Sequence, residues 1–175
     1  MRESKGAIFN TDPVALVDAD TVRMLKERAE LSESGRFRLC LHESTDDSIQ
    51  DMVIAERKGA YCRPHRHPGR ESSLYIIEGA TLVIVFDEKG AVLQRAEMGA
   101  IGSGKPFCIR FAPDVWHMDF TISASAVFRE VLAGPNANGE ALMHAAWSPE
   151  FGDAEGIRAF LRRIGVSPDG ADETE

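Results

Sequence analysis

Three histidines and a carboxylate stand at spacings that suit a metal ion. His65 and His67 are separated by one residue, Glu71 follows four positions after His67, and His117 lies fifty positions after His67. In an extended strand, residues i and i+2 share a face about 6–7 Å apart, so two imidazoles can converge on one ion. Pro68-Gly69 turns the chain and is expected to return Glu71 to the same spot from the adjoining strand. His117 follows the turn Pro113-Asp114-Val115-Trp116 and would supply a ligand from a distant strand. Such a set suits Fe(II), Mn(II), Ni(II) or Zn(II), and an octahedral shell keeps up to two positions for water or substrate. A His-x-His pair also occurs in ordinary strands; the following carboxylate and the Pro-Gly turn favour the metal. His42 and His144 read as surface or satisfied histidines.

Alternation extends the reading to what would line the site. With His65 and His67 inward, Arg63 and Tyr61 are expected inward too, and Cys62, Pro64 and Arg66 outward. Glu71 inward would bring Ser73, Tyr75 and Ile77 with it; His117 would bring Asp119 and Thr121. Arg63, Tyr61, Tyr75 and Asp119 are too polar for a core alone and imply a cavity for a ligand. Arg63 is expected to take a carboxylate or phosphate of that ligand through a bidentate pair, or else to pair with an acidic neighbour. Asp119 could also orient a ligand histidine. Trp116 is expected to pack on the far face.

The elements that must hold these residues are mostly strands. Arg36–His42 alternates Phe37, Leu39 and Leu41 against Arg36, Arg38 and Cys40. Further extended runs are expected at Ile49–Glu56, Gly59–His67, Ser73–Glu78, Ala80–Phe86, Ala91–Ala96, Phe107–Phe111, Met118–Ile122 and Ala126–Leu132, with Asp87–Gly90 as a hairpin loop. Many short strands with few helical patterns indicate a β-sandwich or β-barrel. A helix capped at Asp20 or Thr21 is expected to run to about Glu30, burying Val22, Leu25 and Ala29; residues 1–17 show no clear period. A second helix is expected over Glu155–Ile164, ended by Gly165. The acidic stretch Pro168–Glu175 reads as a disordered tail.

The chain has 175 residues, enough for one domain with a real core. Twenty basic against 28 acidic residues give a net charge of −8, which opposes nucleic-acid binding. The longest apolar run, within Thr81–Phe86, is too short to span a bilayer, and the N-terminus lacks the pattern of a signal peptide. A soluble, cytoplasmic protein is expected. Cys40, Cys62 and Cys108 are an odd number without a CxxC pair, so they read as buried thiols rather than disulfides.

The segment running from Gly59 through His65-x-His67 and Glu71 to Gly79 resembles the first motif of the cupin superfamily, with a slightly longer turn before Gly79. Ala112–His117 resembles the second motif; Ala112 and Asp114 stand in place of its Pro and Gly, and no Asn follows His117. Cys40–Ser44, Arg63–Pro68, Val85–Gly90, Val115–His117 and Ala146–Pro149 are similar to the WbuC-type cupin-fold metalloproteins, often found with O-antigen and other surface-polysaccharide genes. That likeness covers about residues 20–150. It implies an all-β fold, a single cupin β-barrel (a double-stranded β-helix of jelly-roll type) with an N-terminal and a C-terminal helix. It also implies His65, His67, Glu71 and His117 as ligands of one divalent transition metal. The expected organisation is a helical arm over 1–35, the barrel over 36–134, a helical cap over 135–167 and the tail.

Three functions fit. One is a metal-dependent enzyme, an isomerase, epimerase or non-haem iron dioxygenase, acting on a small polar or anionic substrate such as a sugar or sugar nucleotide. Another is a non-catalytic sensor that holds metal and ligand; the last is an interaction protein with a vestigial site. No side chain is singled out as catalytic. A homodimer is expected from the outward apolar sets Leu74 and Ile76, and Met118, Phe120 and Ile122.

Overall fold

The structure is a computed structural model and describes residues 1–4, 6–136, 139 and 141–167. The tail expected over 168–175 lies outside the described residues. In chain order the elements are β1 (Arg2–Ser4), β2 (Ala7–Phe9), α1 (Ala19–Leu31), β3 (Arg36–Cys40), β4 (Ile49–Arg57), β5 (His65–Arg66), β6 (Ser72–Glu78), β7 (Ala80–Phe86), β8 (Val92–Gly99), β9 (Cys108–Phe111), β10 (Trp116–Thr121), β11 (Ser125–Ala133), β12 (Met143–His144) and α2 (Ala154–Arg163). One sheet has the order β1-β2-β3-β4-β11-β6-β9 and the other β12-β5-β10-β7-β8. The eight strands from β4 to β11 therefore divide as 4-11-6-9 and 5-10-7-8, the double Greek-key order of a jelly roll. This is the expected all-β barrel with two flanking helices.

Alternation in the strands separates three buried regions. On β10, His117, Asp119 and Thr121 face the space between the sheets, while Trp116, Met118 and Phe120 face outward under α2. On β3 and β4, Phe37, Leu39, Val53 and Ala55 face outward under α1 and meet Val22, Leu25 and Ala29. Between the sheets, Met52, Ile54, Leu74, Ile76, Met98 and Phe128 form the apolar part of the interior.

α1 buries Val22, Leu25 and Ala29 as expected, and α2 buries Phe160 and Leu161. α1 starts earlier than expected: Asp18 is its cap, its carboxylate accepting the Thr21 amide at 2.9 Å. Asp153 caps α2 in the same way, and Gly165 follows its end with φ 66°. The first residues, without a period, form the β1–β2 hairpin, and β2 pairs parallel with β3. Strands of three residues are too short to show alternation. Asp87–Gly90 is the expected loop, with the Asp87 carboxylate accepting amides of Lys89 and Ala91 at 2.8 Å each.

Two inferences from alternation fail. On β6 it is Leu74 and Ile76 that are buried, whereas Tyr75 is 41% and Ile77 40% exposed. Gly69 adopts φ 64° between β5 and β6, so the strand parity of His67 does not carry across the turn. The aliphatic side chains take the interior, and the tyrosine keeps its hydroxyl in water. The surfaces expected to pair two copies are consequently internal: Leu74 and Ile76 fill the barrel, and Met118 and Phe120 lie under α2. Cys40 and Cys62 are buried free thiols as expected, but Cys108 is exposed. No helix among the described residues is long and apolar enough to cross a membrane.

Candidate metal centre

His65 and His117 sit directly opposite each other on the paired strands β5 and β10. Cross-strand partners on one face are the closest neighbours a sheet provides. Their ring centroids are 4.5 Å apart, and the His67 ring lies 5.2 Å from His65 and 5.5 Å from His117. One ring nitrogen from each of the three falls within 4.8 Å of the others. All three side chains are buried. The Phe111 ring stacks on His117 at 3.9 Å and 14°, fixing its plane.

Backbone carbonyls set the tautomer of every ring. His65 Nδ1 lies 3.0 Å from the Arg63 carbonyl oxygen, His117 Nδ1 2.9 Å from that of Val115, and His67 Nδ1 2.6 Å from that of Ala141. A carbonyl only accepts, so each Nδ1 carries a proton, and a neutral ring held this way keeps its lone pair on Nε2. This is how metal-binding imidazoles are held. The His67 Nε2 is buried with no hydrogen-bond partner. Burial pushes His65 well below the ordinary imidazole range, helped by its histidine neighbours, and pushes His117 down to about 4. Both rings are therefore neutral at physiological pH, so protons do not compete with a metal there. The residues fit a transition metal: three converging imidazoles can hold the ion and leave coordination positions open.

Glu71 does not join the three histidines. Its side chain is exposed and paired with Arg110, because the Gly69 turn points it away from the barrel. Asp114 adopts φ 64°, the left-handed conformation that favours glycine, and its carboxylate accepts the Gly69 amide at 3.2 Å. The turn before His117 is thus kept without the glycine. Gly79 has φ 75°, and a Cβ there would lie 2.2 Å from the Ser125 carbonyl oxygen, so the turn between β6 and β7 requires it.

The residues expected to line the site divide. Tyr61 and Arg63 precede β5 in an irregular stretch, and both line a cavity of about 490 Å³ that reaches His65 and His67. Their polar atoms, however, hold the chain after β12. Tyr61 donates to the Pro149 carbonyl at 3.1 Å; Arg63 donates to Ser148 Oγ at 3.1 Å and to the Ala145 carbonyl at 3.3 Å. Tyr75 stands on the outer face, away from the cavity. Asp119 is inward and buried, and its Oδ2 has no partner. His144, on β12, is exposed at the cavity wall with its ring 6.3 Å from His65. His42 is satisfied, accepting the Asp51 amide at Nδ1 over 3.0 Å.

Sequence reading missed three charged residues of the interior. Arg36 lies 3.2 Å from Glu56 and 4.0 Å from Glu130, and Glu130 Oε1 is 3.8 Å from His67 Nε2. Thr121 Oγ1 donates to Glu56 at 3.1 Å. Burial and the neighbouring Asp119 push the Glu56 carboxyl well above the carboxylate range. The available signal was parity: Glu130 shares a face with Phe128 and Leu132, and Glu56 with Met52 and Ile54.

A family model described as a domain of unknown function (DUF6016) matches residues 17–98. No curated protein matches. Among solved structures, the chain is similar to a sugar phosphate isomerase from a cupin superfamily of Silicibacter pomeroyi, at 19% identity over 57% of this chain and 59% of that one, TM-score 0.45. It is similar to an uncharacterized conserved protein with a double-stranded β-helix domain from Klebsiella pneumoniae, at 19% identity over 63% and 84%, TM-score 0.47. An oxalate oxidase in complex with the substrate analogue glycolate shares 14% identity over 69% and 58%, TM-score 0.46. The chain spans about three-fifths of the oxidase and of the isomerase. The jelly-roll order of the two sheets stands independently of these likenesses.

Proposed function

We propose that the protein is a cupin-type enzyme that uses one divalent transition metal, Fe, Mn, Ni or Zn, on a small polar or anionic substrate. One observation carries this reading: three buried imidazoles, each with its Nδ1 held by a backbone carbonyl, converge beside a cavity of about 490 Å³ that His65 and His67 line. That volume lies in the range of small-molecule sites. A purely structural ion is normally sealed in a closed tetrahedral shell, whereas an octahedral ion beside this cavity keeps positions for substrate. His65, His67 and His117 would hold the ion. The bound ion would act as a Lewis acid toward a carbonyl or hydroxyl, or, as iron, support oxygen chemistry.

The chain's own residues form the rest of the pocket. Arg36 lines the cavity between Glu56 and Glu130, whereas Arg63 is engaged with the chain after β12. Asp119 and Glu56 lie on the interior faces of β10 and β4, where the carboxyl of Glu56 is held toward its neutral form. The similarity to WbuC-type proteins supports a sugar or sugar nucleotide in surface-polysaccharide synthesis as substrate, in the cytoplasm.

Elemental analysis of purified wild type, His67→Ala and His117→Ala tests the centre. Each variant is expected to fall well below one metal per chain. Equal metal content in all three proteins overturns the assignment. Turnover that persists under strict exclusion of oxygen separates an isomerase or epimerase from an oxygenase.

A further inference from the structure

We infer that Glu130, on β11, supplies the carboxylate ligand of the metal centre. The inference rests on the metal reading above and deepens it. With metal–ligand bonds of about 2.0–2.2 Å, two donors on one ion lie about 2.8 Å apart when adjacent and about 4.2 Å when opposed. His67 Nε2 and Glu130 Oε1 are 3.8 Å apart, inside that range and too far for a hydrogen bond between them. The imidazole nitrogen is buried and unpartnered, and the Glu130 side chain is 12% exposed. A buried nitrogen without a partner is destabilising, which an ion between it and the carboxylate would relieve.

The position of Glu130 is as firmly built as that of the histidines. It sits in the middle of β11, paired with Met52 on β4 and with Leu74 on β6. Its second oxygen faces the Arg36 guanidinium at 4.0 Å, and Arg36 in turn is held by Glu56 at 3.2 Å. The carboxylate therefore has one oxygen toward His67 and one toward a cation, and joins the group of three ring nitrogens by closing on the ion that they would share. β11 belongs to the sheet facing the one that carries His65 and His117. An ion held by both would tie the two sheets together across the barrel.

Cobalt(II) titration by calorimetry and visible absorption tests this, with thermal unfolding of each metal-free protein as a control. Glu130→Gln keeps the shape and removes the charge; it is expected to weaken cobalt binding at least tenfold and to shift the cobalt absorption bands. Glu130→Asp, with a carboxylate on a shorter stem, is expected to fall between. Glu71→Gln is expected to leave affinity and bands as in wild type. Wild-type affinity and bands in Glu130→Gln overturn the inference, even if its metal-free form unfolds at lower temperature, because the carboxylate then serves Arg36 alone. A Glu71→Gln variant as impaired as Glu130→Gln overturns it as well. A wild type that takes up no cobalt overturns the metal reading beneath it.

Discussion

The space between the sheets and the two spaces outside them are built from opposite materials. Under α1 and α2 the buried residues are almost wholly apolar, with Leu25, Ile84, Met118, Phe120 and Val127 at 0% exposure. Between the sheets, apolar residues share the interior with Arg36, Glu56, Asp119 and three histidines. A single strand, β10, serves both, turning Trp116, Met118 and Phe120 one way and His117, Asp119 and Thr121 the other. The helices thus let the outer faces supply hydrophobic stabilisation that the interior, occupied by polar groups, supplies less of. Apolar packing and the candidate metal site occupy opposite sides of the same strands.

The sharpest way to break that division is to cut the outer side. Phe120→Ala opens a cavity beneath α2 and is expected to cost about 3–5 kcal/mol in urea unfolding, while the protein that stays folded keeps its metal stoichiometry. Loss of metal from the folded fraction would mean that the two sides are not separable.

Acid tests the inner side. In the metal-free protein His65 and His117 are held below the ordinary imidazole value, His117 at about 4. The unfolded chain takes up protons at about 6.5, so this stability is complete above that pH and is lost as the pH falls toward 4. His117 alone would account for on the order of 3 kcal/mol. Urea midpoints measured across this window should fall steeply in wild type and less in His117→Gln. Equal slopes would place the acid sensitivity elsewhere.

The smallest effect is expected deepest in the interior. Glu56 is pushed toward its protonated form, which an amide imitates, so Glu56→Gln should change stability by less than about 1 kcal/mol. A loss of about 3 kcal/mol or more would instead mark Glu56 as an ionised partner of Arg36.

Sequence alone brought His65, His67 and His117 together because each lies on, or just beyond, a strand whose alternation is local and unbroken. It misplaced Glu71 and Tyr75 because a single left-handed residue, Gly69, breaks the count between β5 and β6. Arg36, Glu56 and Glu130 escaped for another reason. A charged residue in an alternating strand reads as facing water even where its apolar neighbours on the same face give it the interior parity, and what pairs it inside is known only from the facing chain. Here that partner is remote: Arg36 and Glu130 come from opposite ends of the barrel sequence. The fold class was legible in the rhythm of short strands and turns, whereas the β1–β2 hairpin was too short to show any rhythm.

The carbonyl that orients His67 belongs to Ala141, 74 residues downstream and past the last long strand. Arg63 and Tyr61, just ahead of β5, grip that same downstream stretch at Ala145, Ser148 and Pro149. The barrel strands are therefore not a cassette that can be excised with its chemistry intact. Trimming the chain after β11, or transplanting residues 36–134 into another host, would free the His67 ring to rotate and remove a wall of the cavity. Any minimal version of this protein has to extend at least through Pro149.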